Sequence, residues 1–338
     1  MLRSSWSGYL LLALLLGCGG CSAATDEGHD SSQADDDDSS QADDDDSAVS
    51  HDPGDPTCHA GFTDMPGTQA HEHDLVEWRS ADGTTWLEHR LFQACADVPS
   101  LAHDGADTWL AVFQSFQDRQ DQTRFDKVAL RRSSDGGESW TAAAPINLIG
   151  LPAEAARPFD PTIVWVPSEA QWRLYFSMSM SGSLELDENV CTHSAVSVDG
   201  ADFYYEDGTR FCADGGPVID PAVGLLGDTW YYSAPRGAPQ DGAHLASSMD
   251  ALVFVEGTPI LSDNNHAWTG NFVEVDGGLR FYGREVLFPN GNLLWWSSTT
   301  DGLSWSDYTQ TNIPAGKDPG VMRRPDGSFV MLVPTQLD

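Results

Sequence analysis

From about residue 74 onward, short apolar stretches alternate with polar turns, and no stretch has helical periodicity. The apolar stretches alternate with period two and are rich in aromatic residues; they include residues 109–116, 172–178, 230–233, 279–282 and 329–333. Such stretches predict β-strands. Each repeating unit holds four of them, which is typical of a propeller blade.

The turns between these strands share a second pattern: a hydroxyl residue, any residue, Asp, usually Gly, and then an aromatic residue. The Asp positions are separated by 53, 64, 51 and 51 residues, and they are Asp82, Asp135, Asp199, Asp250 and Asp301. In such a turn, Asp accepts bonds from backbone amides and Gly takes backbone angles that other residues avoid. Five copies predict an all-β, five-bladed β-propeller with four antiparallel strands in each blade.

The order of the motifs predicts how the ring closes. The turn at Asp82 precedes any innermost strand, whereas the last innermost strand, after Asp318, is followed by no such turn. We therefore expect the final blade to combine two C-terminal strands with two N-terminal strands. The strand at residues 329–333 should pair with the strand at residues 75–79.

The first 55 residues are of a different kind. Residues 1–18 read as a lipoprotein-type signal peptide, because Arg3 precedes an apolar run and residues 15–18 resemble a bacterial lipobox that ends at Cys18. A plain secretory signal is the alternative. Residues 19–55 form an acidic Ser/Gln/Ala/Asp segment that predicts a disordered tether. Residues 56–338 form the propeller. We expect lipidation at Cys18 and a bacterial cell-envelope location, at the outer membrane or cell surface, or else secretion.

The charge balance excludes some partners. The chain has 52 acidic and 17 basic side chains and a formal net charge of -35. Such a surface repels nucleic acid and anionic lipid, so we expect no nucleic-acid partner and membrane contact only through the lipid anchor. We also expect a monomer. In an oxidising compartment, antiparallel neighbours should bring Cys58 to Cys95 and Cys191 to Cys212 as disulfides.

Polar residues recur where the innermost strands begin. Five of them should ring the central opening: Asp97, Asp160, Asp220, Asn271 and Asp318. Six more should reach the same face: Arg157, Arg236, His244, His266, Trp268 and Arg284. Carboxylates around one axis repel each other, so they need a metal, bound bases or raised pKa values to coexist. Calcium at the axis is therefore a candidate cofactor. The alternative is that each acid only caps its own strand.

These strand starts, and turns such as residues 197–200, resemble those of the five-bladed glycoside hydrolases of the arabinanase, xylosidase and fructosidase-like group. The turn at residues 133–140 resembles the Asp box of sialidases. The resemblance implies an enzyme acting on carbohydrate, with Asp97 as base or nucleophile, Asp160 as an orienting acid and Asp220 as general acid. Asp220 stands where that group has Glu.

A different class of function uses the same face. A non-catalytic propeller could bind a glycan or another small polar ligand there, with Trp268 as a stacking platform. Carboxyl groups about 5–10 Å apart across an open pocket would favour the hydrolase. A narrow or plugged centre would favour the binding protein.

Overall fold

The computed structural model describes residues 53–54, 70–183, 185–286, 293–314 and 316–336. These residues form an all-β fold with two short 3-10 helices, Ala70–Glu72 and Pro239–Asp241. No helix in the described ranges combines the length and the apolar character that a bilayer crossing requires. The predicted signal with Cys18, almost all of the predicted tether, and Cys58 lie outside the described residues.

The strands form five sheets, which are the five predicted blades. Blade 1 contains β3 (Ala96–His103), β4 (Trp109–Ser115), β5 (Lys127–Ser133) and β6 (Ala144–Pro145). Blade 2 contains β8 (Phe159–Val166), β9 (Gln171–Ser179), β10 (Val190–Ser197) and β11 (Asp202–Phe211). Blade 3 contains β12 (Ala222–Leu226), β13 (Thr229–Pro235), β14 (Ala243–Ser248) and β15 (Val255–Glu256). Blade 4 contains β16 (His266–Val275), β17 (Gly278–Glu285), β18 (Leu293–Thr299) and β19 (Thr309–Pro314).

Blade 5 closes the ring as the sequence predicts. It contains β20 (Gly320–Arg323), β21 (Phe329–Gln336), β1 (His73–Ser80) and β2 (Leu87–Gln93), in the order β20, β21, β1, β2. Strand β1 pairs antiparallel with β21 from His73 opposite Gln336 to Ser80 opposite Phe329. One feature was not predicted: β7 (Asn147–Ile149) adds a fifth strand to blade 2, parallel to β11.

The repeated turns have the expected hydrogen bonds and also join the blades. In the turn at Asp301, its carboxylate accepts bonds from the amides of Leu303 at 2.8 Å and Ser304 at 2.7 Å. Three tyrosines of neighbouring blades donate their hydroxyls to carbonyls in such turns: Tyr175 to Ala251, Tyr231 to Asp301 and Tyr282 to Gly83. Each of these three turns therefore holds its own blade and the adjacent one.

A disulfide and a backbone hydrogen bond lie at the face where the innermost strands begin. The disulfide predicted between Cys191 and Cys212 is present. The amide of Ala94, just before β3, donates to the carbonyl of Pro53 at 2.8 Å. Residue 53 is therefore held at this face.

Candidate functional site at the propeller axis

The innermost strands β3, β8, β12, β16 and β20 contact one another around the axis. Their registers define which residues are equivalent. One residue in each innermost strand pairs with the equivalent position of the second strand of its blade; these five are Ser100, Thr162, Ala222, Asn271 and Gly320. The residues two places before them are therefore also equivalent, and we call them the ring residues. They are Val98, Asp160, Asp220, Thr269 and Asp318. Asn271 and Asp97 therefore do not occupy the equivalent places that the sequence suggested.

Four ring residues have an unusual backbone. Val98, Asp160, Asp220 and Asp318 have φ values of 46°, 50°, 51° and 39°, and a proline follows each. A left-handed conformation is strained for these residue types, and it persists only where the surrounding fold enforces it. Such strain, repeated around one axis, marks the ring as a candidate functional site.

The ring surrounds a small polar cavity of about 10 Å³. This is about the space that one water molecule needs. Its wall is formed by Val98, Asp160, Thr162, Asp220, Pro221, Gly270, Asn271 and Asp318. The Asn271 side chain reaches from blade 4 past Gly320 of blade 5 to blade 1, because its amide donates to the carbonyl of Pro99 at 3.3 Å. The centre is therefore narrow, and a sugar would have to lie above the cavity.

Asp160 and Asp220 form a pair of acids. The amide of Asp220 donates to the Asp160 carboxylate at 3.3 Å. Burial raises the pKa of Asp160 to about 7, and the nearby Asp318 and Asp97 carboxylates add to that effect. Burial, together with repulsion from Asp160 and Asp318, raises the pKa of Asp220 well above its ordinary value. The pair therefore holds protons near neutral pH, as a general acid must.

Asp97 lies beneath the ring and not on the cavity wall, since its side chain is 0% exposed. Its carboxylate lies 2.6 Å from the Lys317 ammonium and 3.3 Å from Nδ1 of His73, and it accepts the Val98 amide at 2.9 Å. Burial would raise the pKa of Asp97, but Lys317 and His73 together lower it to about 2. The burial of Asp97 does not support the expectation that it attacks water or sugar, because no part of its side chain is exposed.

Asp318 is the third carboxylate on the cavity wall. It lies 3.7 Å from Nε of Arg284 and 3.9 Å from Nζ of Lys317. The same Arg284 nitrogen donates to the hydroxyl of Thr269 at 3.2 Å. Two cations thus face Asp318, whereas the Asp160 and Asp220 pair shares protons. The site combines proton-holding acids with an acid that faces positive charge.

Trp268 is not the stacking platform that the sequence suggested. It is 2% exposed and packs against Phe281, Trp295 and Trp305 in the core of blade 4. Its apolar ring is buried because the residue sits one place before the ring position and turns into the blade. Its ring offers no face to a sugar.

The other predicted site residues have separate partners. His244 bonds Glu256 at 2.8 Å, and His266 bonds Asp263 at 2.8 Å and stacks on Tyr308. Arg157 pairs with Asp126 at 2.9 Å, and Arg236 is exposed. The structure therefore brings together Asp160, Asp220, Asp318, Asn271 and Arg284, with Arg157 near enough to lower the pKa of Asp160. It leaves His244, His266 and Arg236 outside the cavity wall.

Calcium at the axis stays a prediction. Among the described residues, no group of three or more His, Cys, Asp or Glu has an arrangement that could hold a metal ion. Raised pKa values and the cations of Lys317 and Arg284 reduce the repulsion between the acids instead.

Two solved structures share this fold. A thermostable family-43 glycoside hydrolase aligns with a TM-score of 0.51 and 13% identity, over 71% of this chain and 88% of its own. An α-L-arabinofuranosidase of family 43 from Clostridium thermocellum aligns with a TM-score of 0.50 and 14% identity, over 70% of this chain and 80% of its own. No protein-family model and no curated protein matches the sequence. At this identity the likeness establishes the five-bladed fold.

Sequence reasoning missed Val98 and Thr269 as ring residues, and Thr162 as a wall residue. The signal for Val98 was present, because a proline follows it as it follows the three ring acids. No such signal exists for Thr269, since Gly270 stands in the place of the proline.

Proposed function

We propose that this protein is an envelope glycoside hydrolase that works at the axial face, with a glycan as its substrate. The observation that carries the proposal is the trio of Asp160, Asp220 and Asp318 around one cavity, two of them with raised pKa values. Glycoside hydrolysis needs one protonated and one ionised carboxyl group on either side of the scissile bond. The shared fold with two family-43 hydrolases supports the same reading.

The residues take the following roles in this proposal. Protonated Asp220 gives its proton to the leaving glycosidic oxygen, and Asp160 orients Asp220 through the bond to its amide. Asp318 takes the role first expected of Asp97: as a carboxylate it removes a proton from water or attacks the anomeric carbon. Arg284 holds Asp318 from the side, through its contacts with that acid and with Thr269.

A glycan-binding protein without catalysis is the second candidate. The narrow centre favours it, because the cavity between the ring residues is only about 10 Å³. In that case the same acids would accept hydrogen bonds from sugar hydroxyls at the axial face.

The two candidates separate in one experiment. The full chain, purified in detergent, is screened for turnover on aryl glycosides and polysaccharides and for binding on a glycan array. Turnover that disappears in Asp220→Asn supports the hydrolase. Array binding without turnover on any substrate supports the second candidate. The absence of both turnover and binding would refute both candidates.

The proposed location rests on residues 15–18 and on the acidic segment that follows them. Lipidation at Cys18 would anchor the propeller through a charged tether. Mass spectrometry of the native protein should find an acylated cysteine as its first residue. A mature form that begins at another residue would refute the lipid anchor.

A further inference from the structure

A buried ion pair lies directly beneath the cavity. Lys317 Nζ is 2.6 Å from Asp97 Oδ2, and the side chains are 16% and 0% exposed. The second oxygen of Asp97 accepts the amide of Val98 at 2.9 Å, and His73 of β1 approaches the first at 3.3 Å. The carboxylate is thus contacted by Val98 of blade 1, by Lys317 just before β20 and by His73 of β1.

Lys317 also faces the cavity acid. Its ammonium is 3.9 Å from Oδ2 of Asp318, beyond hydrogen-bond distance, while it contacts Asp97 closely. A lysine side chain is long and flexible, so without Asp97 it could turn to Asp318 and pair with that acid directly. Asp97 therefore fixes where the positive charge lies.

Stability alone gives no strong reason for this arrangement. A buried ion pair often contributes little compared with apolar side chains of similar volume, because two charges must lose their water. This pair lies beside the cavity wall: Lys317 is 3.9 Å from Asp318, and Asp97 directly precedes Val98, another residue of the wall.

We propose that Asp97 and Lys317 are positioning residues, a buried ion pair that holds one cation at the base of the cavity and so sets how many protons the Asp160 and Asp220 pair carries. The role in catalysis rests on the proposed function, whereas the control of protonation does not. The two charges act in opposite directions. Asp97 raises the pKa of Asp160, and Lys317 opposes the rise that burial and neighbouring acids cause in the pKa of Asp220.

The other charged groups that face these acids are known. Arg157 lowers the pKa of Asp160, and Arg284 lowers the pKa of Asp220. His73 faces Asp97 from β1. Since the substitutions below leave these three residues in place, the changes they cause belong to the ion pair.

The test is a titration without substrate. Infrared difference spectra of the full chain follow the protonated carboxyl band between pH 4 and 9, and the band is assigned by its loss in Asp160→Asn and Asp220→Asn. Asp97→Asn should lower the midpoint, and Lys317→Met should raise it, each by about 1 pH unit, the low end of the shift that a neighbouring charge causes. The double variant should return towards the wild-type midpoint.

Two control variants test whether the shifts come from the charge of Lys317. Lys317→Arg keeps the charge and should leave the midpoint unchanged, and Arg323→Met breaks an exposed pair with Asp276 and should do the same. If Lys317→Met does not fold, the direction of the shift in Asp97→Asn and the return in the double variant decide. Shifts in the same direction in both single variants, or no shift in Asp97→Asn, would overturn the proposal. Since no substrate is used, absence of hydrolase activity would leave this result intact.

Discussion

The backbone amide of Asp220 donates to the carboxylate of Asp160 at 3.3 Å, so two neighbouring blades meet at one pair of acids. Asp160 is the second residue of β8 and Asp220 lies two residues before β12, and both have left-handed backbones before a proline. This backbone places the amide of one residue against the side chain of the other. The carboxyl groups are close because the fold fixes them there, despite their repulsion.

Asp220→Asn should remove most turnover on any substrate that the wild type hydrolyses. Asparagine has the same shape but cannot give up a proton, and loss of a general acid lowers rates by about 10²–10⁴-fold. Initial rates and melting temperatures measured on the same samples check this. Asp228→Asn, at an exposed turn of blade 3, is the control and should keep full activity. An unchanged rate in Asp220→Asn would remove this residue from the reaction.

The rate should fall as the pH rises above neutrality. Burial and repulsion from Asp160 raise the pKa of Asp220, the proposed general acid, well above its ordinary value, and activity is lost where this carboxyl gives up its proton. A profile of kcat/KM from pH 5 to 9 would show a basic limb that is absent in Asp220→Asn. A profile that stays flat to pH 9 would contradict the acid role of the pair.

Asp160→Asn should stabilise the fold, and by more at pH 8 than at pH 5. The pKa of Asp160 is about 7 in the folded chain and about 4 in an unfolded chain. The folded state therefore binds more protons between those values, and wild-type stability falls as pH rises through that range. Melting temperatures at both pH values measure the difference. An equal change at pH 5 and pH 8 would argue against the raised pKa.

Gly270→Ala should be far more damaging than Gly105→Ala. Both glycines have positive φ, 145° and 85°, so both substitutions carry backbone strain of about 1–2 kcal/mol. A Cβ at Gly270 would lie 2.1 Å from the carbonyl oxygen of Tyr282, whereas a Cβ at Gly105 meets nothing within 4 Å. We expect a loss of at least about 3 kcal/mol for Gly270→Ala. Urea unfolding of the two variants gives the comparison, and similar losses would contradict the tight packing.

Replacing both Cys191 and Cys212 by serine should lower the free energy of unfolding by about 3 kcal/mol, given their separation of 21 residues. Urea unfolding with and without reductant measures it. Peptide mapping under non-reducing conditions should also link Cys58 to Cys95, which stays a prediction. A free thiol at Cys95 would refute that second pairing.

The sequence predicted the blades because their determinants are local. Each repeated turn needs only an Asp, a flexible residue and a nearby aromatic, and Trp86 and Trp140 are buried as expected. Ring closure followed from motif order alone, and β1 pairs with β21 accordingly. Fold class was therefore accessible without any structure.

The site was harder to predict because it depends on register. The strands β3 and β8 have the same register shift, but in β3 the acid stands two residues before the proline instead of one. Val98 therefore takes the ring place and Asp97 turns beneath it. A similar shift in β16 moves Thr269 into the ring and leaves Asn271 two residues beyond it. One residue of register decides whether a carboxylate lines a cavity or is buried under it. The place of the proline contains that information for Val98, whereas no residue of the sequence marks Thr269.

The hydrogen bond from the Ala94 amide to the Pro53 carbonyl fixes residue 53 at one face of the propeller. A label or fusion partner joined at residue 53 would therefore lie at the face that bears the acids, beside the first innermost strand. One inserted at Asp228, in the exposed turn between β12 and β13, would lie at the opposite face. A bulky group at residue 53 should therefore hinder a large glycan at the axial face, whereas the same group at Asp228 should not.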